Sequence, residues 1–143
     1  MAIKRIHSKG PYRYEEYVTL GAVSPGMLCE LNASNQAIPH AEQGGRCEAM
    51  FAQEDALQAK AVGDAYTTGT VAGFILPNKG SEVNALLKNG ESVAINAELV
   101  SAGDGTLQAR GSSGSGVTEW QTVAIAMEAK TASGNTLMRV RIV

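Results

Sequence analysis

Aromatic side chains are scarce in this chain. Of 143 residues 2 are Phe, 1 is Trp and 4 are Tyr, so the core must be built from Val, Leu, Ile and Ala. With 16 glycines to make turns, that composition favours many short strands over long helices. Cysteine is equally sparse. Cys29 and Cys47 are too few for a disulfide framework, and MAIKRIHSKG lacks the apolar core of a secretory signal, so both are expected as reduced, partly buried thiols. No apolar run approaches the roughly 20 residues that cross a membrane as a helix. We expect a chain made in the cytosol that stays out of membranes. A net charge of -2 supplies no field to draw nucleic acid. The two histidines, His7 and His40, stand at no spacing from a second ligand type that would make a zinc site, so no metal and no cofactor are expected.

What is present is a rhythm of short apolar runs and turn residues. A length of 143 residues suits one domain. Asn89 to Arg110 organises it: Asn89-Gly90 precedes Val93 and Ile95, and Ala102-Gly103-Asp104-Gly105 splits Leu99-Val100 from Leu107, so the segment is expected to be a hairpin. A weaker echo runs from Gly21 to His40. Strands are expected at Tyr17–Leu20, Met27–Leu31, Gln36–Pro39, Ala49–Gln53, Val71–Leu76, Trp120–Ala129 and Leu137–Val143. Glu54–Tyr66 breaks the rhythm as a short helix or an irregular connection. Ser81–Asn89 fits a helix or a strand, and strand is favoured because Asn89-Gly90 offers a turn directly after it. The Gly/Ser tract 111–116 is expected to be an exposed loop. In the last two strands Val123, Ile125 and Met127, and Met138, Val140 and Ile142, are the expected buried faces, which leaves Arg139 and Arg141 together on a solvated face or a subunit contact.

Residues 1–16 show no periodicity and are interrupted by Gly10-Pro11, so they read as an extended N-terminal arm ahead of a β-rich domain at 17–143. Charge is split unevenly. Residues 1–17 hold Lys4, Arg5, Lys9 and Arg13 against Glu15 and Glu16, whereas the remainder holds 8 basic and 12 acidic groups. Tyr12, Tyr14 and Tyr17 cluster at the arm's end beside Arg13, which suits a docking surface, although Tyr14 and Tyr17 equally fit the start of the first strand. Lys4, Arg5, Tyr12, Arg13, Tyr14 and Tyr17 are the candidate binding residues.

Catalytic chemistry has little support. Gly103-x-Gly105 lacks the third glycine of a dinucleotide fingerprint, and Lys130-Thr131 follows no phosphate-cradling loop. Cys29 or Cys47 with His40 is a pairing that any chain of such composition would permit. No catalytic residue is assigned, and an enzyme is not expected.

Three stretches carry a resemblance: Glu54-Asp55-Ala56-Leu57-Gln58 followed by Gly63-Asp64-Ala65-Tyr66, the Gly103-Asp104-Gly105-Thr106-Leu107 turn, and Val123–Ala129 with the Arg-Val-Arg-Ile-Val ending. In this order, over roughly 17–143, the chain resembles the capsid decoration, or cement, proteins of tailed bacteriophages. The resemblance implies a mainly β protein, a single compact β-barrel or β-tulip-like domain of short antiparallel strands with an extended N-terminal arm and at most one short helix. It further implies a virion protein on the capsid exterior, a homotrimer at local threefold positions, bridging major capsid protein subunits, with the arm in docking. The rival from another class is a small-ligand or carbohydrate-binding β module with Trp120 beside Glu119 as its platform, where a core tryptophan is the plainer account.

Overall fold

The computed structural model describes residues 3–111 and 120–143. In chain order the strands are β1 (His7–Lys9), β2 (Tyr12–Val18), β3 (Cys29–Leu31), β4 (Ala37–Pro39), β5 (Phe51–Ala52), β6 (Val71–Pro77), β7 (Glu82–Leu87), β8 (Ser92–Val93), β9 (Glu98–Ser101), β10 (Leu107–Ala109), β11 (Ala124–Ala126), β12 (Lys130–Thr131) and β13 (Thr136–Ile142). A 3-10 turn, Ala56–Gln58, follows β5, started by Asp55, whose carboxylate accepts from Leu57 N–H. The chain is mainly β and its centre is a closed barrel of five strands in the order β7-β10-β9-β11-β13, with β13 returning to β7.

The Gly103–Gly105 turn joins β9 to β10 as a true hairpin, with Leu107 opposite Ser101. Asn89-Gly90 does not do the same. It is a turn, but β7 is not paired with β8, because β13 occupies one edge of β7 while β1 and β10 share the other. Ser92–Val93 pairs instead with Lys130–Thr131. One joint of the barrel departs from the antiparallel expectation: Leu107 meets Leu87 in parallel. Within Ser81–Asn89 the chain forms strand β7, Glu82–Leu87, and the upstream echo is the β3–β4 hairpin, turned at Asn35 with φ 60°. The tract at 111–116 lies, from residue 112 on, outside the described residues.

The barrel interior takes Val83, Ala85 and Leu87 from β7, Leu99 from β9, Leu107 from β10, and Met138, Val140 and Ile142 from β13. On β11 the inward residues are Ala124 and Ala126, not Ile125 and Met127. Cross-strand pairing gives the reason: Ala124 opposes Ile142 and Ala126 opposes Val140, so a large residue on β13 is met by a small one, while Ile125 opposes Arg141 on the outside. A second core, including Val23, Cys29, Met50, Tyr66, Phe74 and Leu76, lies beside the barrel. Strand β6 joins the two. Ile75 enters the barrel core while Phe74 and Leu76 enter the other, so VAGFIL is apolar throughout because both of its faces are covered.

Residues 3–16 are extended but do not stand apart from the domain. Ile6 is fully buried in the barrel core, β1 lies on β7, and β2 pairs with β6 along its whole length. The segment lacks periodicity because only Glu15 and Tyr17 of β2 are even half-buried. Arg139 and Arg141 do share a face, and that face holds a carboxylate: Glu82, 6% exposed, lies 3.2 Å from Arg141 Nη2 and 3.5 Å from Arg139 Nε. Arg139 Nε makes no hydrogen bond, so it contributes charge alone.

Replacing Met138 by Ala should cost about 2–5 kcal/mol through lost burial and the cavity left behind, whereas Ile125→Ala should cost less than half as much. Urea unfolding of both variants checks the assignment, since equal losses would mean that Ile125 also faces the barrel interior.

Candidate docking face

Side chains alternate across β2 and divide the six sequence candidates into groups. Tyr12, Tyr14, Glu16 and Val18 lie on one face, and Arg13, Glu15 and Tyr17 on the other. Tyr12 and Tyr14 remain 41% and 49% exposed, and Val18 with its cross-strand neighbour Val71 extends the strip they form. Tyr14 lies over Gly73, where a Cβ would come within 2.5 Å of its hydroxyl, so the missing side chain on β6 is what lets the ring lie flat on the sheet. Tyr12 is backed by the His7 ring, centroids 4.4 Å apart. Gln58 Nε2 donates to Val71 O at 2.8 Å, which tethers the 3-10 turn to the far end of the strip and leaves Leu57 99% exposed. Val18, Leu57 and Val71 were not among the sequence candidates. Leu57 stands four residues before Ala61, a spacing that fits a short helix and gives no sign of its exposure.

Arg13 and Tyr17 serve the opposite face. Arg13 Nε donates to Glu15 Oε1 at 2.9 Å and Nη2 lies 3.6 Å from Glu48. Tyr17 packs tilted on Phe74 with centroids 6.0 Å apart, and its hydroxyl donates to Glu15. That hydrogen bond, followed by the charge of Arg13, holds the Glu15 carboxyl below its ordinary range. Lys4 and Arg5 are exposed, and the Arg5 carbonyl accepts from Asn84 Nδ2 at 2.8 Å. The structure thus gathers Tyr12 and Tyr14 and sets Arg13 and Tyr17 behind them.

His40 does not meet a thiol. It is buried, with Nδ1 2.6 Å from Ser101 Oγ and Nε2 3.2 Å from Arg46 O and 3.3 Å from Glu30 Oε2, and Ser101 Oγ also accepts from Gly103 N–H. The cluster pins the end of β4 to β9 and, with Ser101 fully buried, presents no nucleophile to solvent. Burial pushes the Cys29 thiol far up, and that of Cys47 up to about 11, so neither is a thiolate near neutrality. Among the described residues no three His, Cys, Asp or Glu side chains gather as a cation site requires. Trp120 is half-buried and closes over Gly44, whose positive φ of 67° and missing Cβ leave room for the indole, while Glu119 lies outside the described residues. A ring so engaged offers little open surface to a sugar. A groove of about 540 Å³ between the Pro25 turn and β13 is floored by Met27, Leu86 and Leu137, with Lys130 as its one charged lining residue among those described.

The fold is similar to that of the head fiber gp8.5 N base of bacteriophage phi29, with a TM-score of 0.57 at 11% sequence identity, over 93% of this chain and 95% of that one. No family model and no curated protein matches the chain. At such identity the likeness speaks to fold alone. It does not single out the decoration proteins that the sequence resembles.

Two measurements check this face and its surroundings. Tyr17→Phe should raise the pKa of Glu15 toward the ordinary carboxylate value, read by carbon NMR of its carboxyl. Because the folded pKa is lowered, the stabilisation is present above the ordinary value and is lost as acid drives pH through the folded one. The stability gap between wild type and variant should therefore close on acidification. A disulfide reagent at pH 8 should label neither thiol of the folded protein in the time that it labels both in urea, and rapid labelling of the half-buried Cys47 would contradict its raised pKa.

Proposed function

We propose that this chain is a structural protein of a phage virion that binds the exterior of the head and cements neighbouring major capsid protein subunits. The observation that carries the reading is the fold shared over nearly the whole length with the base of a phage head fiber. The exposed strip of Tyr12, Tyr14, Val18 and Val71 supports it, since large amphipathic rings held on a paired strand lose little entropy on docking. Lys4 and Arg5, both exposed ahead of β1, favour an acidic surface on the shell. Homotrimers at local threefold positions, made in the host cytoplasm and carried on the virion, belong to the same proposal and rest on the sequence resemblance. No catalytic step, cofactor, nucleic acid or membrane enters it.

Binding across a subunit boundary stabilises the assembled shell alone, so the temperature at which heads open should rise with bound protein. Deleting residues 1–17 would remove Ile6 and β2 from the fold and so would report on folding. Point changes isolate docking. Tyr12→Ala with Tyr14→Ala should leave the fold intact and weaken binding to heads that lack the protein by roughly tenfold or more. Full binding and heat protection by that variant would move the docking face elsewhere, and a wild-type chain that binds no heads would end the cement reading.

A further inference from the structure

The outer edge of β2 is open, and its hydrogen-bonding phase can be read from either end. Asn78 N–H donates to Pro11 O and Thr19 N–H donates to Thr70 O, so the odd positions Arg13, Glu15 and Tyr17 turn their backbone groups toward β6. The N–H and C=O of Tyr12, Tyr14, Glu16 and Val18 point the other way, where among the described residues no strand pairs with them. Leu20 N–H, on that same outer side, donates to Ala37 O and closes the edge beyond Val18. A seven-residue strand with one free edge is a template for another strand.

We propose that the occupant of this edge is β2 of a second copy of this chain, paired antiparallel about a twofold axis at Tyr14. Charge selects the register. Outward positions must oppose outward positions, so the axis passes through a residue and not between two. An axis at Arg13, Glu15 or Glu16 would set that residue against its own like charge. The axis at Tyr14 sets Arg13 of each chain against Glu15 of the other, Tyr14 against Tyr14, and Tyr12 against Glu16. It supplies roughly six inter-chain backbone hydrogen bonds over Tyr12–Glu16 and leaves the edge at Val18, next to the β3–β4 hairpin, unused. A perpendicular twofold keeps equivalent faces on one side, so the two Tyr12–Tyr14 strips merge into one surface. The pairing needs no head, so its failure and that of the capsid reading are separable.

Sedimentation equilibrium of the purified full chain tests it. Wild type should assemble as two chains, or six where a threefold contact also operates; a mass of one or three chains at all concentrations overturns the pairing. Arg13→Glu and Glu15→Arg should each weaken it by roughly tenfold or more, and the double exchange should restore it. A folded double variant that stays as weak as either single one overturns the register. Glu16→Pro guards against misfolding of the charge variants, because it removes an outward donor and leaves the β6 ladder whole. A Glu16→Pro chain that still pairs refutes the proposal. Amide exchange gives a second readout: Tyr12, Tyr14 and Glu16 should be protected and Val18 should not.

Discussion

Closure of the barrel by β13 on β7 is the constraint on which the rest of the molecule depends. The two strands pair from Thr136–Leu87 to Arg141–Glu82, and without that seam the five-stranded sheet would be open and its interior row of Val83, Ala85, Leu87, Met138 and Val140 would be wet. The seam also explains the one buried carboxylate among the described residues. Glu82 lies directly across from Arg141 and diagonal to Arg139, so the charge that closure desolvates is matched by charges that closure brings near. With both edges of β7 occupied, the chain after Leu87 cannot turn back on it and goes to β12 instead.

What the barrel does not bury stays on the surface of β2. β6 is spent on both faces, one in each core, and β2 is laid on its remaining edge, so β2 inherits a free edge and a half-exposed face. Its aromatic residues are therefore displayed on a rigid ladder. A docking surface preorganised in this way spends little entropy on binding, in contrast to a flexible arm that must be ordered residue by residue. Ile6, anchored in the core, holds the chain ahead of β1 and β2 against the barrel.

The fold likeness to a phage fiber base spans the barrel and the sheet beside it. Neither the His40 cluster nor the Cys29 thiol adds chemistry at the surface, because Ser101, His40 and Cys29 are buried inside. The exposed aromatic strip and the edge that no described strand pairs with both lie on β2.

The sequence by itself determined the class of fold, most turns and the main strands, since glycine, asparagine and short apolar runs act over a few residues and their signals are local. It also marked Tyr12 and Tyr14 as unusual, because aromatic residues are rare in this chain. Val123 is buried as expected, but the sequence could not say which residues of β11 point inward: period two permits Ile125 and Met127 or Ala124 and Ala126, and only the bulk of Val140 and Ile142 on the paired strand β13 decides for alanine. Nor could it place residues 3–16, whose pairing depends on edges of β6 and β7 some 60 to 80 positions away. The split of Tyr12 and Tyr14 from Arg13 and Tyr17 was a further tertiary decision. Alternation is written in any strand, but which side is covered depends on Phe74 and on what the second core packs beneath it.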